Sequence, residues 1–263
     1  FVLDQSTNLT KASELANAAK IAGSLVLAQL SHAGRQTPKA INSTPLSISN
    51  LKLDLQGYGQ PTIATEQDLI GLADQFSSSA KIAEKCGFDG VEIHAAHGYL
   101  LSSSLSPRIN NRSDKWGGSV TNRTRLLQLI LQRVRSAVSK DFIVAVKLNS
   151  SDFQQGGLEI SESVSCSSIS LSVKCNPPSQ ALFAESTAVR APERARVTEV
   201  DSGEMVLVEP SGGDKNTVTV TSEVYLVFPA AQNQTTTVNA VIKRIAPMLS
   251  LRFILLAPLL LVQ

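Results

Sequence analysis

Cysteine and charge of one sign are both scarce in this sequence, and each shortage excludes a class of protein. The three cysteines, Cys86, Cys166 and Cys175, form no CxxC pair within 263 residues, which argues against a disulfide scaffold. The formal net charge is only +2, with no basic block and no acidic tail, so a nucleic-acid partner is not expected. These features fit a reducing compartment, and we predict a cytoplasmic protein.

Signals for secretion or membrane insertion are also missing. Phe1-Val2-Leu3 is followed at once by polar residues, unlike a signal peptide, and the absence of an initiator Met suggests a trimmed or incomplete start. The apolar segment 249–263 is shorter than a membrane span and is interrupted by Arg252 and Pro258. We therefore expect no membrane partner. The hydrophobic content of 43% is sufficient for a folded core.

The first 160 residues alternate between helix and strand patterns. Apolar residues at helical spacing predict helices over 9–22, 65–87 and 122–138, and short apolar runs predict strands over 24–30, 88–94 and 142–148. Residues 37–64 are rich in Pro, Ser, Asn and Gly and predict an extended loop or hairpin excursion. Strand–helix–strand alternation indicates an α/β fold with a parallel sheet and right-handed crossovers.

The composition changes near residue 160. Residues 161–170 are rich in serine and stand where a helix should follow the third strand, so we expect no helix there. Residues 194–228 alternate polar and apolar side chains, which predicts antiparallel strands with turns at 201–203 and 211–214. We therefore place a boundary at about residue 160, with residues 1–160 as one domain and residues 161–263 as an unrelated, β-rich or disordered tail.

Three of the predicted strands bring a polar side chain to their carboxyl ends. Side chains alternate across a strand, so His94 shares a face with Glu92, and Lys147 shares a face with Asn149. Gln29 holds the equivalent place near the end of the first strand. The carboxyl ends of parallel strands meet around one mouth in a barrel, where enzymes of this architecture place their chemistry. We therefore predict that Gln29, His94 and Lys147 surround a common site.

His94, His97 and Tyr99 directly follow the second strand and are candidates for catalysis. Two neutral imidazoles can donate paired hydrogen bonds to a carbonyl or nitro oxygen, and a phenol can protonate a carbon that becomes basic as hydride arrives. The competing interpretation is a zinc site built from the His-x-x-His pair and Glu92. It ranks lower because no third ligand has typical spacing and the HExxH order is absent.

Lys147 and Gln29 are candidates for cofactor binding. A buried lysine needs an anionic partner, which a flavin ring supplies at its N1–C2=O edge on reduction, and which Glu92 would supply within the chain. Gln29 carries both a donor and an acceptor, as the pyrimidine edge of a flavin requires. A core glutamine with internal partners remains the alternative.

Four segments then resemble the old yellow enzyme family, the NADH:flavin oxidoreductases. Residues 29–36 (QLSHAGRQ) resemble the family's flavin-contacting third strand, and residues 88–101 its substrate-histidine segment. Residues 105–125 resemble its signature loop and the following helix, and residues 146–153 (VKLNSSDF) its fifth strand, with Lys147 where many members have Arg. The resemblance covers residues 1–160.

The resemblance implies an FMN-dependent (β/α)8 TIM barrel of which this chain holds strands three to five. In such enzymes NAD(P)H reduces FMN, which passes hydride to the β-carbon of an activated alkene, an enone-type substrate. By the same carry-over, His94 and His97 hold the substrate oxygen, Tyr99 protonates the α-carbon, and Gln29 and Lys147 contact the isoalloxazine ring. No metal is implied, and the oligomeric state is not indicated.

The family's first two and last three strands are not found in the sequence. We therefore expect a fragment, truncated at both ends and fused to unrelated sequence. The alternative function is accordingly a catalytically inactive product that binds no cofactor.

Overall fold

The structure, a computed structural model, describes residues 2–20, 24–171, 182–187, 222–228 and 260–261. Its elements in chain order are α1 (Leu9–Ala19), β1 (Leu27–Ser31), β2 (Leu46–Ser47), β3 (Thr62–Ile63), α2 (Glu66–Lys85), β4 (Gly90–Ala95), α3 (Leu100–Leu105), α4 (Val120–Ala137), β5 (Ile143–Asn149), α5 (Ile160–Leu171), β6 (Leu182–Thr187), β7 (Ser222–Phe228) and β8 (Leu260–Leu261).

The centre of the main sheet consists of β1, β4 and β5, which are parallel. The strand order is β6-β7-β5-β4-β1-β8. Each connection within the central set carries a helix, α2 between β1 and β4 and α4 between β4 and β5, as parallel neighbours require. The expected α/β fold with a parallel sheet is therefore confirmed.

Local signals explain where the crossover helices begin. The Thr65 side chain accepts a hydrogen bond from Asp68 N, and the Asp68 carboxylate accepts one from Thr65 N, which forms a capping box at the start of α2. Ser119 caps α4 by accepting from Asn122 N. Both helices are amphipathic, so their apolar faces turn towards the sheet.

The hydrophobic core lies between these helices and one face of the sheet. It includes, from the helices, Leu69, Leu72, Phe76, Leu126, Leu127 and Ile130, and, from the strands, Ala28, Leu30, Val91, Ile93, Val144, Val146 and Leu148. These residues occupy every second position of their strands, so the side chains between them point to the opposite face of the sheet. That opposite face carries the polar residues predicted to form the site.

The structure corrects the expectation that the serine-rich segment 161–170 contains no helix, because α5 occupies it. Ser165 Oγ donates to Ser161 O and Ser168 Oγ donates to Val164 O, so the hydroxyl groups satisfy their hydrogen bonding inside the helix itself. Thr124 Oγ1 donates to Cys166 Sγ at 3.2 Å. The small side chains of α5 thus allow it to pack closely against α4.

Two further differences concern the loops. The short helix α3 was not predicted, because its sequence LLSSSL has no helical periodicity. All six of its residues are buried, so it has no polar face that would produce such a pattern. The excursion at 37–64 contains only β2 and β3, which pair in parallel over two residues, and an isolated antiparallel bridge between Pro38 and Tyr58. The predicted helix over 9–22 is α1, and residues 21–23 lie outside the described part of the chain.

Beyond α5 the structure describes three strands. β7 pairs antiparallel with β5, and β6 pairs antiparallel with β7, while β8 pairs parallel with β1. The predicted turns at 201–203 and 211–214 lie outside the described residues, as does the part of the predicted strand segment that spans 194–221. The last residues of that segment, 222–228, form β7. The boundary at residue 160 and the nature of the tail remain predictions. Within the described segments, no helix is both long and apolar enough to cross a bilayer.

Candidate active site

The strand register places the predicted polar residues in adjacent rows on one face of the sheet. Gln29 on β1 pairs with Glu92 on β4, and His94 on β4 pairs with Lys147 on β5. Paired residues of neighbouring strands point to the same side, and residues two apart along a strand also share a side. The structure therefore brings Gln29, His94 and Lys147 together at the carboxyl ends of β1, β4 and β5, on the face that we call the site face.

The first row of the site face contains a direct side-chain contact. Gln29 Nε2 donates to Glu92 Oε2 at 2.5 Å. This bond fixes the amide orientation, since a carboxylate can only accept. Lys147 lies one row further on and is only 6% exposed. Glu92 and Lys147 are diagonal neighbours by register, so the face combines a carboxylate and an ammonium group in a largely dehydrated setting.

The two histidines at the end of β4 contact each other. His94 is 3% exposed, whereas His97 is exposed, and the ring centroids are 4.9 Å apart at an interplanar angle of 85°. His97 Nδ1 lies 3.2 Å from His94 Nε2. Ala96 N donates to His94 Nδ1 at 3.2 Å. The site therefore contains a short chain of hydrogen bonds that begins at the backbone.

This chain of bonds sets the tautomers of the neutral rings. His94 Nδ1 accepts a hydrogen bond from Ala96 N, so the ring proton of neutral His94 must be on Nε2. That Nε2–H donates to His97 Nδ1, which leaves the His97 proton on Nε2. A ligand oxygen would therefore meet the Nε2–H of His97. Donation from both rings to one oxygen, as the sequence suggested, requires the bond between the rings to open.

Tyr99 lies beside this pair. Its ring centroid is 5.1 Å from that of His94, in an edge-to-face arrangement with an interplanar angle of 73°. Tyr99 immediately precedes α3, and the next residue, Leu100, donates its N–H to His32 O. The buried helix α3 therefore anchors the phenol at the carboxyl end of the sheet, with His94 and His97 as neighbours.

His32 belongs to the loop that follows β1 and was quoted in the sequence only as part of a motif. Burial lowers the pKa of His32 to about 4. Its Nδ1 accepts from Gly34 N at 3.1 Å, so the neutral ring also carries its proton on Nε2. An uncharged His32 therefore supports the segment on which Tyr99 and α3 rest.

A metal site is not formed by these groups. In the parts of the chain that the structure describes, no three His, Cys, Asp or Glu side chains cluster in a way that could hold a metal ion. Cys86 and Cys166 are free and buried, and burial raises the pKa of both thiols. Neither thiol is therefore an activated nucleophile.

A family model described as NADH:flavin oxidoreductase / NADH oxidase matches residues 3–221 of this chain. The chain belongs to this family. The matched range extends past residue 160, where the change in composition suggested a boundary. The description of the family names NADH and flavin as the reactants of its members.

Individual relatives agree with this membership. The NADH-dependent flavin oxidoreductase nadA of Aspergillus parasiticus is 45% identical over 148 residues, which cover 55% of this chain and 33% of that protein. The NADH oxidase of Thermoanaerobacter brockii is 34% identical over 162 residues, which cover 61% of this chain and 25% of that protein. The chain thus spans about a third or less of the length of these two curated relatives.

Solved structures show the same likeness. The old yellow enzyme homologue of Zymomonas mobilis superposes with a TM-score of 0.58 at 28% identity, over 65% of this chain and 52% of that chain. A 2-naphthoyl-CoA reductase in complex with 2-naphthoyl-CoA superposes with a TM-score of 0.62 at 26% identity, over 65% of this chain and 28% of that chain.

The site face is chemically suited to the ring of FMN. Lys147 is a buried cation, and Gln29 offers an amide. Ser31, on the same face, is fully buried, and its Oγ has no hydrogen-bond partner among the residues that the structure describes. A buried hydroxyl without a partner is costly in a folded protein, and the polar edge of a flavin can provide the missing bond. Gln29, Ser31 and Lys147 are therefore the residues that can hold the ring.

Two arginines of the family-like segment 105–125 serve the scaffold. Arg112 donates to Ala64 O at 2.7 Å and pairs with Asp114 at 2.6 Å. Arg123 is 2% exposed, donates to Gly118 O and Leu105 O, and pairs with Glu162 of α5. Arg112 thus ties its loop to the segment before α2, and Arg123 binds backbone carbonyls at the end of α3 and just before α4.

Several residues that shape the site were not singled out as candidates. Asn149 was placed only by strand parity, and Gln36 and Asp152 were only part of quoted motifs. Gln36 and Asn149 form hydrogen bonds with the backbone of His97, and Asp152 binds the amide of Asn149. Their positions at or just beyond the carboxyl ends of β1 and β5 are the signal that could have identified them.

Proposed function

We propose that this chain forms part of the active site of an FMN-dependent oxidoreductase that transfers hydride from NAD(P)H to an activated, α,β-unsaturated alkene. The observation that supports this most strongly is the buried site face, where Gln29 and Lys147 lie in adjacent rows beside the His94–His97 pair and Tyr99. The names of the relatives, an NADH-dependent flavin oxidoreductase and an NADH oxidase, support the flavin and the nicotinamide reductant of this proposal.

The cofactor would be held by the row of residues on β1 and β5. Bound FMN would supply hydride transfer between the nicotinamide and the alkene. Lys147 would place its positive charge against the ring edge that becomes negative on reduction. Gln29 would bind the pyrimidine edge with its amide, which the bond to Glu92 holds in a fixed orientation.

The substrate oxygen would be bound by the histidine pair. Negative charge grows on the oxygen of an enone as hydride reaches its β-carbon, and donors already in place stabilise that charge without reorganisation. His97 would donate its Nε2–H first, and His94 supports it through the bond from Nε2 to His97 Nδ1. Because Ala96 N donates to His94 Nδ1, His94 Nε2 donates to His97 Nδ1, and His97 Nε2–H is left to donate to the substrate oxygen.

Tyr99 would complete the reduction by protonating the α-carbon. Hydride at one carbon and a proton at the other together add two hydrogen atoms across the double bond, and a phenol next to the histidine pair can deliver that proton. The half-buried position of Tyr99, with its ring 5.1 Å from that of His94, suits this role.

Flavin binding tests the proposal. Purified protein should absorb at roughly 450 nm when FMN is bound, since the flavin determines that signal. Lys147→Met should weaken FMN binding by about 10- to 150-fold, because a hydrogen bond to a charged group contributes about 1.5–3 kcal/mol. Lys140→Met is the matched control, since Lys140 is exposed on the turn before β5 and its loss should leave the affinity unchanged.

The same titration separates the proposal from the inactive alternative. Wild-type protein that remains colourless and quenches no FMN fluorescence would favour the product without a cofactor. Protein that binds FMN but whose NAD(P)H oxidation does not increase when an enone is added would retain the flavin and contradict the alkene substrate.

A further inference from the structure

The backbone of His97 adopts an unusual conformation. Its φ is 60°, and among the described residues Phe153 is the only other non-glycine residue with positive φ. This left-handed region is unfavourable for a residue with a Cβ atom and persists where surrounding contacts enforce it. The conformation therefore calls for an explanation in the contacts of His97, which the structure provides.

Side chains from two other segments hold the two polar groups of this residue's backbone. His97 N donates to Asn149 Oδ1 at 3.1 Å, from the last residue of β5. Gln36 Nε2, from the turn after β1, donates to His97 O at 2.8 Å. The following residue, Gly98, also has positive φ, and a Cβ atom there would lie 2.8 Å from Gln36 Nε2. A Cβ atom at position 98 would therefore displace the Gln36 amide from His97 O.

The amide of Asn149 is itself oriented by its surroundings. Asn149 Nδ2 donates to Asp152 Oδ1 at 3.1 Å and to Ser102 Oγ at 3.3 Å. A carboxylate can only accept from a neighbour, so the nitrogen of the amide must face Asp152 and the oxygen must face His97. Asp152 is held in turn by Ser106 Oγ at 2.5 Å and Leu158 N at 2.8 Å.

We propose that Asn149 is a positioning residue that holds the backbone of His97 in the left-handed conformation and thereby directs the His97 ring onto His94. The bond of 3.2 Å between His97 Nδ1 and His94 Nε2 depends on this backbone, because the ring leaves the chain in a direction set by φ. The role deepens the proposed function and rests on it, since the histidine pair is the proposed binding site for the substrate oxygen.

The alternative is that Asn149 only braces the loop after β5. Asn149 and Ser106 both bind Asp152, so both would be equivalent under that alternative. Only Asn149 also contacts His97. Ser106→Ala is therefore the matched control for Asn149→Ala, because it removes a bond to Asp152 and leaves the amide of Asn149 beside His97.

Ring-nitrogen NMR of the histidines reads out the proposal without flavin or substrate. The chain has three histidines, and the geometry predicts the Nε2–H tautomer for each. In Asn149→Ala, His97 and His94 should lose the shifts of a bonded ring pair, and His97 should become a mixture of tautomers. His32, whose Nδ1 is held by Gly34 N, should keep its signals and serves as the internal reference. Ser106→Ala should retain the wild-type pattern.

A second variant keeps the test decisive if Asn149→Ala does not fold. Gln36→Ala removes the other bond to the His97 backbone and should produce the same change at His97 and His94, with His32 unaffected. Wild-type ring signals in the folded variants at position 149 or 36 would overturn the proposal, and so would equal changes in Asn149→Ala and Ser106→Ala. A protein that binds no FMN but shows the predicted NMR changes would contradict the proposed function alone.

Discussion

Both faces of the β1–β4–β5 sheet contain buried residues, yet these residues are of opposite chemistry. On the helix face, Ile93 and Val146 are fully buried and pack against the apolar residues of α2 and α4. On the site face, His94 is 3% and Lys147 is 6% exposed, and both are polar. Apolar burial stabilises a fold in proportion to its area, whereas burial of polar and charged groups costs free energy unless partners are supplied.

This difference separates the source of stability from the source of chemistry. The apolar residues of the helix face stabilise the fold. The site face can therefore hold polar groups whose burial costs free energy. If this division holds, substitutions on the two faces should affect different measured quantities.

The largest effect is expected on the site face, in activity. Tyr99→Phe removes the proposed proton donor and should lower the rate of enone reduction by about 10²–10⁴-fold, the usual contribution of a positioned acid. Flavin reduction by NAD(P)H, followed separately by stopped-flow absorbance, needs no proton from Tyr99 and should be unchanged. The free energy of unfolding should change by no more than about 0.5–1.5 kcal/mol. Equal slowing of both half-reactions would contradict the assignment.

The helix face should show the reverse pattern. Phe76 of α2 is fully buried, and Phe76→Ala should lower the free energy of unfolding by about 3–5 kcal/mol, through lost burial and the cavity left behind. The exposed neighbour Gln75 offers the control, since Gln75→Ala should change stability by no more than about 0.5 kcal/mol. Urea unfolding of the three proteins measures both. Similar midpoints for the two variants would show that α2 does not stabilise the sheet.

The sequence could predict the division of faces but not the contacts at its edge. The alternation of side chains in a strand is fixed by the pleat, so parity placed His94 with Glu92 and Lys147 with Asn149. The register then pairs His94 with Lys147, which puts both sets on one face of the sheet. The clamp on His97 joins residues 52 positions apart and depends on a positive φ, which no local pattern encodes. The helix α5 was missed because Ser165 and Ser168 bind the preceding turn with their hydroxyl groups, which makes a serine-rich sequence compatible with an α-helix.

The smallest effect concerns a half-buried histidine just after the carboxyl end of β1. Because burial lowers the pKa of folded His32 from 6.5 to about 4, the unfolded chain binds a proton below pH 6.5 that the folded chain refuses until about pH 4. The free energy of unfolding should therefore fall across this window as the pH falls. His32→Asn keeps an acceptor for Gly34 N and has no such titration, so the wild type should lose about 1–3 kcal/mol relative to this variant between pH 7 and pH 4. Urea unfolding at several pH values measures the difference in the free energy of unfolding. Parallel pH profiles for the two proteins would show that folded His32 is accessible to protons. His32 would then not share the dehydrated character of the site face.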